Sequence, residues 1–127
     1  MLADFASGFL VFSTLAVALF QLAILLGAPV GEYAYGGQHQ GVLPARFRVT
    51  SVVSAIIMLA IAGHYVAQLG VFPPLLDEAG NAIANWGFVA FFALSALMNN
   101  ISKSEKEKRV FGSITIAMLL SAILVAL

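Results

Sequence analysis

The sequence predicts an all-α protein, a four-helix transmembrane bundle, and three observations support this prediction. Of the 127 residues, 61% are hydrophobic and 9% are charged, whereas a soluble domain carries about 25% charged residues because its surface faces water. The mean hydropathy is +1.00. Four apolar stretches are each long enough, or nearly so, to cross a hydrocarbon core of about 30 Å. We therefore expect residues 1–127 to form a single four-span transmembrane domain.

The first predicted span covers residues 5–27 and contains no ionisable residue. Its only strongly polar side chain is Gln21, so the stretch can cross the bilayer with some tilt. A long glycine-rich loop follows, in which Gly36 and Gly37 interrupt any helix. Pro44 then suits the first turn of a second helix.

The second and third predicted spans cover residues 47–69 and 82–99, and a short acidic connection joins them. Gly70, followed by two prolines, ends the second span. Asn81 or Asn85 is a candidate N-cap for the third helix, because a short polar side chain can accept a hydrogen bond from a free backbone N–H.

The fourth predicted span covers residues 109–127, and the part in lipid, from Val110 to Leu127, is about 18 residues and barely crosses a bilayer. The charge-dense segment before it contains two S-x-x-E capping boxes, in which the serine caps the helix and the glutamate reaches back. The two pairs are Ser102 with Glu105 and Ser104 with Glu107. The fourth helix is therefore expected to start a turn or more before it enters lipid.

The basic residues predict the orientation of the bundle. All six fall in the first and third connections, and they are Arg46, Arg48, Lys103, Lys106, Lys108 and Arg109. The opposite side carries Asp4, Asp77 and Glu78 and no Lys or Arg. Because Lys and Arg in short loops stay on the cytoplasmic side, we expect a cytoplasmic first loop and both chain ends outside (N-out/C-out). The expected location is the inner (plasma) membrane, as a multi-pass protein.

Polar groups near the cytoplasmic side are the candidate ligand-binding residues, because a polar group in lipid needs a partner or a purpose. The candidates are Glu32, His39, Arg46 and Arg48 of the first loop, and Gln21, Asn99 and Asn100 of the spans. The three amides are expected to meet at one depth and to bond across helices. A substrate-binding cluster is the alternative interpretation of the same three residues.

Two interpretations of the loop residues stay open. Glu32 is placed to form an ion pair with Arg46 or Arg48, which would close the loop onto the start of the second helix. In the functional interpretation, the arginines bind an anionic head group, and Glu32 or His39 acts as an acid or a base. In the structural interpretation, which the sequence favours, one salt bridge ties down an interfacial loop.

Several classes of function are excluded by what the sequence lacks. No span carries an ionisable residue near mid-membrane, where proton-coupled pumps need one. The chain has no cysteine, and His39 and His64 are predicted on opposite faces of the membrane, so no metal site is expected. Phosphate-binding, dinucleotide-binding and nucleophile motifs are absent. We expect no cofactor and no nucleic-acid partner, and we assign no catalytic residue.

Residues 26–51, LGAPVGEYAYGGQHQGVLPARFRVTS, carry an LGAP-x-G…GG-x-H…LP-x-R-x-R-x-x-S pattern. This pattern resembles that of a group of small, uncharacterised bacterial membrane proteins with four spans, and it implies their fold and location. The layout is also similar to that of the trimeric membrane proteins of eicosanoid and glutathione metabolism. Their R-x-x-x-N-x-x-E signature is missing after Arg46 and Arg48, so glutathione chemistry is not implied.

The leading functional hypothesis is a non-enzymatic membrane protein that binds or transports a small solute or lipid, with the first loop as its cytoplasmic mouth. Membrane lipid and further copies of the chain are the expected partners, because four short spans enclose little volume alone. One alternative is a membrane enzyme acting on a lipid or isoprenoid-like substrate, with His39 and Glu32 in proton transfer. Another is a structural subunit of a larger complex. A pocket joining Gln21 and Asn99 to the first loop would favour binding.

Overall fold

The computed structural model describes residues 1–127 and consists of four long α-helices with no β-strand. The helices are α1 (Leu2–Leu25), α2 (Ala45–Gln68), α3 (Glu78–Asn100) and α4 (Glu105–Ala126). Each of them is long and apolar enough to cross a membrane. The predicted all-α fold of four helices with membrane-spanning capacity is confirmed.

Helix α3 begins four residues before the predicted third span, because an acidic side chain caps it early. The Asp77 carboxylate accepts a hydrogen bond from the Gly80 N–H at 2.7 Å, which satisfies a backbone donor that the helix itself leaves free. The prediction that Asn81 or Asn85 caps this helix is wrong, because both lie inside it.

Helix α4 begins at the predicted capping box. The Ser104 hydroxyl accepts a hydrogen bond from the Glu107 N–H at 3.1 Å, so this cap is confirmed. The reciprocal half of the box is not formed, because the Glu107 carboxylate binds the first loop instead. The competing box does not form either, since the Ser102 hydroxyl accepts from the Ser104 N–H.

The bundle is built on α1, which packs against α2 and α4, and on α4, which also packs against α3. All four helices contribute to one buried apolar cluster that includes Leu10, Ile61, Tyr65, Phe92 and Met118. Burial of large apolar side chains at such a centre fixes how the helices pack, because interiors are close-packed.

Large hydrophobic side chains also stay exposed on the outer face of every helix. Phe12, Val53, Leu94 and Leu120 are each more than half exposed. A soluble monomer rarely exposes so continuous an apolar surface, whereas helices that face lipid are expected to do so. The exposed surface therefore agrees with the composition.

Helices α2 and α3 are joined by polar side chains at the end away from the first loop. His64 Nε2 and Asn85 Oδ1 share a hydrogen bond of 2.7 Å. Gln68 and Asn81 exchange two hydrogen bonds of 2.7 and 3.0 Å. Hydrogen bonds between helices in lipid contribute on the order of 1 kcal/mol each, so these two asparagines connect helices.

Candidate functional site

The first loop, residues 26–44, folds back over one end of the bundle. Two short 3-10 helices shape it, and the Gly31 N–H donates to the Gly41 carbonyl at 2.8 Å. Its apolar side chains are buried against α1 in a small cluster formed by Ile24, Ala34 and Leu43. The loop is therefore an ordered cover over the helix ends.

Three contacts fasten this loop to the third connection and the first turn of α4, and we call them the latch. The Ser104 hydroxyl donates to the Glu32 carbonyl. The Lys106 Nζ lies 2.6 Å from the Glu32 carboxylate, and the Gly36 N–H donates to the Glu107 carboxylate at 2.9 Å. The latch joins residues 71 to 74 positions apart, so it closes this end of the bundle.

The predicted ion pair between Glu32 and Arg46 or Arg48 is wrong, because Glu32 pairs with Lys106. Arg48 turns toward α1, where its Nε and Nη2 donate to the Leu25 carbonyl at 3.1 and 2.9 Å. This carbonyl belongs to the C-terminal turn of α1, which has unpaired acceptors and carries partial negative charge. The guanidinium therefore caps a helix.

Arg46 and His39 both lie against the ring of Phe47. The Arg46 guanidinium carbon is 4.8 Å from the ring centroid, and the centroid of the His39 ring is 5.2 Å from it. Arg46 is otherwise exposed and His39 is partly exposed. These contacts place both residues on the outer side of the loop.

A cavity of about 220 Å³ lies beneath the first loop and is lined by residues of all four helices. Four phenylalanine side chains supply most of its aromatic surface, namely Phe20, Phe91, Phe92 and Phe111. Its polar lining includes Gln21, Tyr33, Tyr35, Ser95, Asn99 and Glu107. No lysine, arginine or histidine lines it, and Glu32 is also absent from its lining. The loop candidates Glu32, His39, Arg46 and Arg48 therefore lie outside the cavity.

Two of the three predicted amide residues, Gln21 and Asn99, line this cavity. Gln21 Oε1 is buried and has no hydrogen-bond partner, while Asn99 Nδ2 donates to the Ser95 carbonyl of its own helix at 2.8 Å. Only Asn100 bonds across helices, to the Gly112 carbonyl at 3.1 Å. The expected hydrogen bonding among all three amides is therefore wrong, and Asn100 serves the packing of α3 on α4.

Glu107 is the site residue that the sequence reasoning missed. It is only 8% exposed, lines the cavity and belongs to the latch. In the sequence it lies in a charge-dense capping box, which indicates a solvated helix start. Its spacing to Phe111, Thr115 and Met118, which follows one helical face, is the signal that could have found it.

The fold and the cavity define a class of protein: a bundle of four helices with membrane-spanning capacity and a cavity beneath a loop at one end. No three histidine, aspartate or glutamate side chains cluster closely enough to hold a metal ion. Comparison with family models, curated proteins and solved structures found no match. The resemblance to small bacterial four-span proteins stays a prediction.

Proposed function

We propose that this chain is a multi-pass protein of the inner (plasma) membrane that binds a small, partly apolar solute beneath its first loop. The observation that carries this proposal is one cavity lined by Gln21, Asn99 and the loop residues Tyr33 and Tyr35. A cavity of about 150 Å³ is large enough to hold benzene. About 220 Å³ therefore accommodates a molecule with an aromatic-sized body.

The chemistry of the lining supports a ligand with both apolar and polar parts. Ligand pockets are mostly apolar and aromatic, with a few polar groups that fix orientation, and this cavity has that composition. The buried Gln21 Oε1 has no partner, and an unsatisfied buried acceptor costs about 1–3 kcal/mol. A ligand that donates a hydrogen bond to this oxygen would remove that cost.

No observation favours the alternative of a membrane enzyme with His39 and Glu32 in proton transfer. His39 packs on Phe47, and Glu32 pairs with Lys106. Neither of them lines the cavity, whereas a general acid or base must come within hydrogen-bond reach of its substrate. Solute binding is therefore the function that we argue.

Filling the cavity is expected to weaken binding. Ser54 lines the cavity from α2, and Ser54→Phe places a ring where a bound ligand would lie. We expect the affinity to fall by at least about tenfold, which corresponds to roughly 1.4 kcal/mol. Native mass spectrometry of copurified small molecules and titration of benzyl alcohol in lipid nanodiscs are the measurements.

Val53→Phe is the matched control for this substitution, because Val53 precedes Ser54 on α2 and its side chain is exposed on the outer face. It is expected to bind like the unsubstituted protein. Unchanged binding in the Ser54→Phe variant would contradict a site in this cavity.

We further propose that the first and third connections are cytoplasmic, on the basis of their six Lys and Arg residues. The chain contains no cysteine, so single cysteines report sidedness directly. In intact cells an impermeant maleimide should label Leu75→Cys of the second connection. Gln38→Cys of the first loop should be labelled only after permeabilisation. Both positions are exposed, so the reverse pattern would overturn this orientation.

The homo-oligomer and the membrane-lipid partner expected from the sequence stay predictions. Native mass spectrometry of the same preparation counts the subunits and weighs any retained lipid. A lipid-free single chain would contradict both expectations.

A further inference from the structure

The cavity holds a buried carboxylate with no positive charge beside it. Glu107 is 8% exposed, and the two ion pairs of the chain, Lys106 with Glu32 and Lys108 with Glu105, do not include it. A buried charge is stabilised when an opposite charge accompanies it, and is costly otherwise. The site thus lacks the cation that its carboxylate favours.

Three cationic side chains at the starts of α2 and α4 already have other partners. The Lys106 ammonium is held by Glu32 on the outer side of the latch. The Arg48 guanidinium is held by the Leu25 carbonyl, and Arg46 lies over the ring of Phe47. Since no basic residue lines the cavity, a cationic ligand would supply the positive charge that the lining lacks.

The neutral part of the lining favours the same kind of ligand. Gln21 Oε1 is a buried acceptor without a donor. Asn99 already uses its amide nitrogen to bond Ser95, which leaves its carbonyl oxygen to accept. The aromatic rings around the cavity carry negative faces that attract cations, and Lys106 Nζ already lies 5.6 Å from the centroid of one of them, Tyr33.

We propose that the ligand is an organic ammonium ion, a protonated amine on an aromatic-sized apolar body, with Glu107 as its counter-ion. The inference rests on the proposed function, because it names the chemical class of the solute bound beneath the first loop. The ammonium N–H groups donate to the Glu107 carboxylate and to Gln21 Oε1, while the apolar body contacts the phenylalanine rings. An anionic ligand of equal size is rejected, since it would face the carboxylate with no cation between them.

Three probes of similar size and different charge test this inference in nanodiscs: benzylammonium, benzyl alcohol and benzoate. Protein-free nanodiscs give the contribution of lipid partitioning. We expect benzylammonium to bind at least about tenfold more tightly than benzyl alcohol. This affinity ratio corresponds to the contribution of one hydrogen bond to a charged group. Benzoate is expected to bind most weakly.

Glu107→Gln removes the charge but keeps an oxygen that can accept from the Gly36 N–H. It therefore tests the role of Glu107 as a counter-ion while its hydrogen bond in the latch is kept. We expect this variant to lose the preference for benzylammonium over benzyl alcohol by roughly 10- to 100-fold. Glu105→Gln is the matched control, because Glu105 lies in the same turn with a side chain that is 78% exposed. That control should keep the preference.

The outcomes separate the two proposals. Suppose that benzyl alcohol or benzoate binds the unsubstituted protein as tightly as benzylammonium does, and that Ser54→Phe loses this binding. That result overturns the ammonium inference but still supports solute binding. Retention of the preference in a folded Glu107→Gln protein also overturns the inference. Failure of all three probes to bind, or binding that Ser54→Phe does not change, overturns both. If Glu107→Gln does not fold, the probe series on the unsubstituted protein and on Gln21→Met decides, and Gln21→Met is expected to weaken benzylammonium severalfold.

Discussion

Gly37→Ala is expected to loosen the first loop from α4 and to lower the free energy of unfolding by about 2–5 kcal/mol. Gly37 has a φ of +71°, a left-handed conformation that costs a residue with a Cβ about 1–2 kcal/mol. A Cβ there would also lie 2.6 Å from the Ser104 Cβ. The loop or α4 must then shift, which adds an overpacking cost of about 1–3 kcal/mol.

Gly36→Ala is the matched control for that experiment. Gly36 has nearly the same φ, +72°, but an added Cβ would meet nothing within 4 Å. It should lose only the conformational part, about 1–2 kcal/mol. Unfolding in detergent measures both variants. Equal effects of the two substitutions would contradict the close packing of this loop on Ser104.

Arg48→Met is expected to lower the free energy of unfolding by about 1.5–3 kcal/mol, the weight of hydrogen bonds from a charged donor. The Arg48 guanidinium makes two hydrogen bonds to the Leu25 carbonyl at the negative end of the α1 dipole. Methionine keeps much of the apolar stem and removes both bonds. Helix α1 should therefore fray where the first loop begins, and unfolding in detergent measures the loss of stability.

Arg46→Met provides the comparison, because Arg46 belongs to the same connection and its substitution removes the same charge. Arg46 is exposed, and its guanidinium lies over the ring of Phe47 without forming a hydrogen bond or an ion pair. Its loss should change stability by no more than about 0.5 kcal/mol. If both substitutions lowered the free energy of unfolding equally, the hydrogen bonds from Arg48 to the end of α1 would make no specific contribution to stability.

The four helices could be predicted from composition and length, because lipid requires apolar stretches of a set span with all backbone groups paired internally. Their ends were harder to place. Asp77 caps α3 earlier than Asn81 or Asn85 would, and the two asparagines bond to α2 instead. A short polar residue near a helix start suits either role, so the local sequence alone does not choose between them.

The site was predictable where a polar residue interrupts an apolar stretch, and it was not where distant segments meet. Gln21 and Asn99 stand out in the sequence, and both line the cavity. The partner of Glu32 lies 74 positions away, so the local sequence favours the nearer arginines. Glu107 is not predicted as a site residue, because its burial depends on how the first loop folds over α4.

Glu107 takes part in two things at once, since it lines the cavity and accepts the Gly36 N–H that holds the loop. A ligand that binds this carboxylate would compete with the Gly36 N–H and would weaken the latch. Such coupling is reciprocal in free energy, so a molecule that displaces the first loop from outside would also change the affinity for the ligand. Binding of the proposed ligand in the cavity and any contact on the outer side of the first loop would therefore be coupled through Glu107.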